Sequence, residues 1–302
     1  MAVLDAGIVP RLLAALRHST LSSAPGSPAL LVECTACLAA LVHGAPTLVL
    51  DAVVAAGGAA TLARLVTHPG RVVRHAALSA VVDLSSSQAH TRALVDASIF
   101  SALRLTLVCT RDRVLRLDAL RTVANVLAAR SAEVAAACSA ARLFPSLVRL
   151  LGSVEDLEVQ HLAVYAVASA TVHGCEASTA SLVEHGCILP LCALLIMPQR
   201  WSDHGPIGSF IFREECGDDD ERFHRAVQAA TLSTALAALE NIILAGSAAH
   251  LTTNVHVEAV ISARGPVRLA RLARRHRSAT VRDAAARLFA TYFPSKCCFS
   301  AV

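Results

Sequence analysis

Histidine and cysteine are the side chains best equipped for chemistry in this chain, thirteen and ten of them among 302 residues. Cys34 and Cys37 stand three apart in ECTAC, which on a helix sets the two thiols one turn from each other. A zinc site would need a second Cys or His pair at ligand spacing, and none follows, so the two read as small buried apolar side chains. His173, Cys175, His185 and Cys187 crowd one stretch without metal-ligand spacing, and residue type alone leaves a Cys–His nucleophile open there. P-loop, G-x-G-x-x-G after a strand, G-x-S-x-G and H-E-x-x-H patterns do not occur. The expectation is therefore no catalytic residues, no metal and no cofactor, with the cysteines as reduced thiols in a reducing compartment.

The elements that must position these side chains are helices. AVILMFWYC residues make up 55% of the chain but aromatics only 4%, so the core has to be built from Ala, Leu and Val. Ala and Leu are strong helix formers, and strands would draw on β-branched and aromatic residues. The mean hydropathy of +0.55 is high, yet charges and Gly or Pro recur at helical spacing, so no membrane span is expected. The opening MAVLDAGIVPRLLAALRHS has no basic n-region and no small-residue cleavage site. In the closing KCCFSAV, Cys298 lies one residue too far from the terminus for a prenylation box.

One phrase recurs: DAGIVPRLLAAL, AAGGAATLARLV, DASIFSALRLTL, SAARLFPSLVRLL, EHGCILPLCALL and SARGPVRLARLA. Anchored on Ala6, Ala56, Ala97, Ala141, His185 and Ala263, the copies lie 50, 41, 44, 44 and 78 residues apart. A period in the forties is that of armadillo and HEAT arrays. A short helix, a longer helix and a long third helix per unit, each burying its apolar face on the next unit, predict an all-α, right-handed α-solenoid of armadillo repeats. About six repeats span residues 1–302 as a single solenoid, the first partial, with a tail at 294–302. The Ser/Pro/Gly-rich stretch 20–29 accounts for the long first interval. The longest interval holds an inserted loop at 198–224, with the sole Trp and the run Asp218-Asp219-Asp220-Glu221 at its end; that run reads as a solvated charge cluster or a dock for a basic partner. The segment 3–17 reads as a third helix whose first two are missing, as in a truncated array.

The stretches AVYAVASATVHGCEASTASLVEHGCILPLCALL, STALAALENIILAG and VEAVISARGPVRLARLARRHRSATVRDAAARLFATYF resemble the carboxy-terminal half of importin-α, the nuclear-import adaptor. The ordered GCI, PLC and LL, then LENI, then a closing YF carry the likeness, best over 160–293 and weak over 1–130. The resemblance implies an adaptor that binds basic nuclear localisation signals of cargo proteins, for protein import into the nucleus, and that works in cytoplasm and nucleus. The family's basic, importin-β-binding segment is not found in this sequence. Importin-β and the export factor are accordingly expected as partners only of a longer form. The other reading is a divergent armadillo-repeat interaction scaffold that binds no localisation signal.

In that family, third helices present a Trp and, four residues on, an Asn. The resemblance places Ala36 and Ala40, Ser79 and Asp83, Arg121 and Asn125, Tyr165 and Ser169, and Ala237 and Asn241 at these positions. The implied peptide-binding residues are Asp83, Asn125, Tyr165, Ser169 and Asn241: amides for a peptide backbone, a carboxylate for a cation, an aromatic face for Lys or Arg stems. Arg121 is expected to repel a basic peptide. Each retained residue also has a local reading, Asn125 as a hydrogen bond across a repeat interface, Asn241 as local structure in LENI, Tyr165 as packing. Residues 262–290 hold eight arginines. Arg264, Arg268, Arg271 and Arg275 form one stripe, suited to phosphates, to an acidic protein, or to the solvated face of a cap. With no aromatics interleaved, nucleic acid is not the expected partner.

Overall fold

The computed structural model describes residues 7–21, 27–153, 156–172, 176–196, 219–247 and 254–294. All regular structure among them is helical: α1 (Ile8–Leu21), α2 (Ser27–Val42), α3 (Thr47–Ala55), α4 (Gly58–Leu65), α5 (Arg71–Ser85), α6 (Gln88–Asp96), α7 (Ile99–Cys109), α8 (Arg113–Leu127), α9 (Ala132–Ala140), α10 (Leu143–Leu151), α11 (Leu157–Thr171), α12 (Glu176–Glu184), α13 (Ile188–Leu194), α14 (Asp219–Ser247), α15 (Val255–Ser262), α16 (Gly265–Arg275) and α17 (Ala279–Tyr292). The chain divides into two compact units, Met1–Ser146 and Leu147–Val302.

A three-helix unit repeats within both. Its first helix, α3, α6, α9, α12 or α15, has eight or nine residues. A tight turn follows, bending the chain by 81° between α3 and α4 and by 83° between α12 and α13. The residue at each such turn is left-handed: Gly57 (φ 78°), Ser98 (58°), Arg142 (53°), Gly186 (79°) and Arg264 (57°), each directly after an anchor of the repeated phrase. Gly7 (φ 62°) holds the same place ahead of α1. α1 also packs on α2, α3 and α4 as α4 packs on α5, α6 and α7. It is therefore a second-type helix, not the third-type helix expected for residues 3–17. The spacing of its apolar residues suits either type, and only its neighbours distinguish them.

A left-handed conformation costs a side chain about 1–2 kcal/mol and a glycine almost nothing. Ser98 makes no capping bond with its side chain, so its hydroxyl offers no compensation. Ser98→Gly is expected to raise stability by roughly 0.5–1 kcal/mol after the unfolded-state entropy of glycine is set against the relief. A urea midpoint that does not move upward would count against this.

Third helices supply about half of the core among the described residues. In α8, Leu115, Leu120, Val123, Ala124 and Leu127 are buried, and Ala119 and Ala124 let neighbours approach closely. In the first unit α2 packs on α5 and α5 on α8; in the second α11 packs on α14 and α14 on α17. Residues 225–247 of α14 are long and apolar enough by composition to cross a membrane, a run that charge spacing alone did not predict. Leu232, Ala235, Leu236, Leu239, Ile242 and Ile243 are buried in the packed helix. Residues 197–218, most of the expected insertion, and the tail from 295 lie outside the described residues. Residues 219–224, expected at the end of a loop, are helical, since Asp219-Asp220-Glu221 is an acidic run suited to a helix amino terminus. Among the described cysteines, Cys34 is buried as expected whereas Cys37 is exposed. Burial pushes the Cys187 thiol up to about 12 and the Cys192 thiol to about 11, so neither is a nucleophile near neutral pH.

Polar joints recur at one repeat's separation. Asp51 and His90 meet at 2.7 Å, Arg71 and Asp112 at 2.9 Å, and Arg92 pairs with Glu133. Asp112 caps α8 by accepting from the N–H groups of Val114 and Leu115, and also takes His75 Nε2 at 2.8 Å. Burial pushes its carboxyl upward, but the His75 hydrogen bond and charge, the Leu115 N–H and the Arg71 guanidinium outweigh that and hold it below the usual range. A depressed carboxylate contributes stability above its unfolded value of about 3.9, lost as pH falls through the folded value. Asp112→Asn, which keeps a good cap, is expected to cost about 1 kcal/mol at pH 7 and progressively less below about pH 4. Urea titrations at both pH values check this; a pH-independent difference would remove the ion pair as its cause.

Candidate functional site

The face of each third helix turned away from the core carries the groups that can do chemistry. In the first unit Ala36, Ala40 and Arg121 are exposed, and Ser79, Asp83 and Asn125 are half-buried. In the second unit Tyr165 is 46% exposed, Ser169 only 8%, Ala237 is exposed and Asn241 half-buried. The structure thus places Asp83 and Asn125 on the packed helices α5 and α8, and Tyr165, Ser169 and Asn241 on the packed helices α11 and α14. The Ser169 side chain is too short to rise above its neighbours, so its hydroxyl offers little surface.

Asn125 Nδ2 donates to Ser85 Oγ at 3.0 Å, across the α5–α8 interface, while Ser85 Oγ donates to the Val82 carbonyl at 2.7 Å. The cross-repeat role read as one of two for Asn125 is therefore present, and its amide oxygen is by chemistry a further acceptor. Arg121 donates to Asp118 Oδ1 at 3.1 Å, one turn back on α8, so its charge is partly answered within the helix. Burial pushes the Asp118 carboxyl above its usual range; Arg121 and His75 pull against this, and Asp83 across the helix interface adds to it. Asp83 itself lies 3.3 Å from His43 Nδ1, at the end of α2. Neighbouring third helices α5 and α8 thus carry two carboxylates, each beside a basic group of its own, and an amide, the residue types that can meet a cation and the chain that carries it.

On the second unit, His161 Nδ1 meets Thr231 Oγ1 at 2.9 Å, tying α11 to α14 one turn before Tyr165. Burial lowers the His161 imidazole despite Glu158 nearby, so it stays neutral at pH 7. Arg287 of α17 reaches Glu240 of α14 at 3.3 Å, next to Asn241. The Tyr292 phenol is pushed up by burial and by Glu240, against Arg287. Tyr165 presents an exposed aromatic face on α11.

Sequence reading missed Asp118, His43, Ser85 and Glu240. The signal was available in the repeat period: His43 and Asp83, and Ser85 and Asn125, are each 40 residues apart, and Asp118 is one turn from a ladder position. Among the described residues no three His, Cys, Asp or Glu side chains gather as a metal site would require. An open apolar cleft lined by Val9, Pro10, Leu48 and Ala52 carries only one ionisable group, Asp51.

No family model matches the chain, and no curated protein matches it. Solved structures do. A computationally designed armadillo repeat protein for modular peptide recognition aligns with a TM-score of 0.70 and 19% identity, over 93% of this chain and 98% of its own. An engineered protein aligns with a TM-score of 0.68 and 23% identity, over 93% and 95%. A designed armadillo repeat protein in complex with the peptide (KR)4 aligns with a TM-score of 0.67 and 19% identity, over 93% and 99%. At such identities the likeness carries the fold alone, and with the three-helix units described above it establishes an all-α solenoid of armadillo repeats.

Proposed function

We propose that the chain is a non-catalytic, importin-α-like adaptor that captures basic nuclear localisation signals on its third-helix faces and serves protein import between cytoplasm and nucleus. The observation that carries this is that the adjacent third helices α5 and α8 carry Asp83, Asp118 and Asn125, with the Asp83 charge felt at Asp118. A Lys or Arg of an extended peptide would meet the carboxylates while the amide oxygen accepts from its backbone. Tyr165, on the second unit, would offer a face to an alkyl-ammonium or guanidinium stem. The designed relative in complex with (KR)4 supports a basic ligand for this architecture. Importin-β and an export factor would be partners of a longer form.

The absence of any Trp at the ladder positions and the burial of Ser169 favour a second reading, a scaffold for a different peptide class. A titration with a labelled basic localisation peptide separates the two. Under the first reading it saturates at micromolar peptide, more weakly at physiological than at low salt. Asn125→Ala with Tyr165→Ala is then expected to reduce affinity roughly tenfold. Absence of binding at micromolar peptide would leave the scaffold reading, and binding untouched by the double substitution would move the site off these helices.

A further inference from the structure

We infer that the last repeat carries a second interaction surface, distinct from the third-helix faces, that docks an acidic segment of a protein partner. Residues 262–290 hold eight arginines and a single acid, Asp283, a net +7 in a chain whose total is +4, so the remainder is net −3. This segregation has a structural form. α16 buries Gly265, Pro266, Leu269 and Leu272 against its neighbours and turns Arg264, Arg271, Arg274 and Arg275 outward. Arg277 follows in an exposed turn held in place by Arg282, whose Nη1 donates to the carbonyls of His276 and Arg277 at 2.8 and 2.9 Å. Arg287 is answered by Glu240. Among the described residues Arg264, Arg271, Arg274, Arg275 and Arg277 form no ion pair. Arg268 keeps Nη1 buried with no hydrogen-bond partner.

Such a row of uncompensated guanidinium groups repels itself and gains most from an incoming anion. Its composition selects the kind. No aromatic residue occurs between Phe223 and Phe289, so there is no stacking platform for single-stranded bases. Val267 stands 58% exposed in the middle of the arginine row. An apolar side chain among arginines suits a protein interface, in which Arg and buried apolar contacts work together, better than a phosphate backbone. The stripe repeats every three or four residues, one turn at a time. The fitting partner is an acidic helix whose carboxylates repeat at the same spacing around an apolar residue that meets Val267.

The test is fluorescence anisotropy with a Glu-rich helical peptide of about sixteen residues carrying one central Leu, and with a duplex DNA of similar length, near physiological salt. The acidic peptide is expected to bind at micromolar concentration. The triple variant Arg264→Glu, Arg271→Glu, Arg275→Glu should weaken it about 30-fold or more, and Val267→Ser about threefold. DNA should bind at least about tenfold more weakly than the peptide. Failure of the acidic peptide to saturate below about 100 μM, or equal affinity for the triple variant, would overturn the inference. Tighter binding of DNA would overturn it too, and assign the surface to nucleic acid. If the triple variant loses its helical circular dichroism, the Arg→Gln triple replaces it, with an expected loss of about tenfold. Binding of (KR)4 should be indifferent to all these changes, which separates failure here from failure of the third-helix site.

Discussion

Asp83→Lys combined with Asp118→Asn is expected to weaken binding of a labelled (KR)4 peptide by about 30-fold or more at low salt. Asp83 and Asp118 stand on adjacent third helices, and the Asp118 carboxyl is held above its usual range chiefly by burial, with the Asp83 charge adding to it. A bound cation gains from both carboxylates, whereas removing one and reversing the other leaves it facing a positive site. Two further arms belong to the same experiment. Arg121→Ala frees Asp118 from its 3.1 Å internal partner and should strengthen binding a few-fold, because the ligand no longer competes with that guanidinium. Acidification should weaken binding: only the ionised carboxylate attracts the cation, and the Asp118 carboxyl, being raised, protonates at a higher pH than an ordinary aspartate. Unchanged affinity in the double variant, measured by anisotropy with folding verified by circular dichroism, would remove this locus as the cation site.

Phe100→Ala is expected to cost about 3–5 kcal/mol, the largest effect of a single substitution considered. The chain has eight phenylalanines in 302 residues, so each large buried ring fills space that Ala, Val and Leu cannot reclaim. Phe100 is 2% exposed on α7, beside Ile99 and Leu103, which are wholly buried. Leu105 on the same helix is 46% exposed, and its replacement by Ala should cost less than about 1 kcal/mol. A repeat array contacts only its neighbours, so the damage should concentrate around α7 and split the urea transition in two. A single transition with a shift below about 1 kcal/mol would show that the repeats around α7 close over the gap.

Particular elements show how far the residues alone could lead. The repeated phrase located every turn between first and second helices, and the residue after each anchor is left-handed whether it is Gly57 or Arg142. The backbone there is set by the packing of two short helices, which is why the position recurs although its side chain does not. The type of α1 was misread for the complementary reason: an apolar stripe records that a helix is packed, not which neighbours it packs on. The start of α14 was legible only as an acidic run, since loop and helix amino terminus favour the same residues.

The binding face divides in the same way. Period and composition determined by themselves that this is an array of three-helix repeats, because burying an Ala- and Leu-rich stripe at helical spacing admits few other arrangements. The family resemblance, rather than period or composition, singled out Asp83, Asn125, Tyr165, Ser169 and Asn241. Only the tertiary structure decided that Ser169 is covered, that Asn125 bonds to Ser85, that Arg121 is answered by Asp118, and that the Asp83 charge reaches Asp118 from the neighbouring helix. The physical reason is that a side chain's exposure and partners depend on the helix one repeat away, some forty residues distant in the chain, and on rotamers that local spacing does not specify.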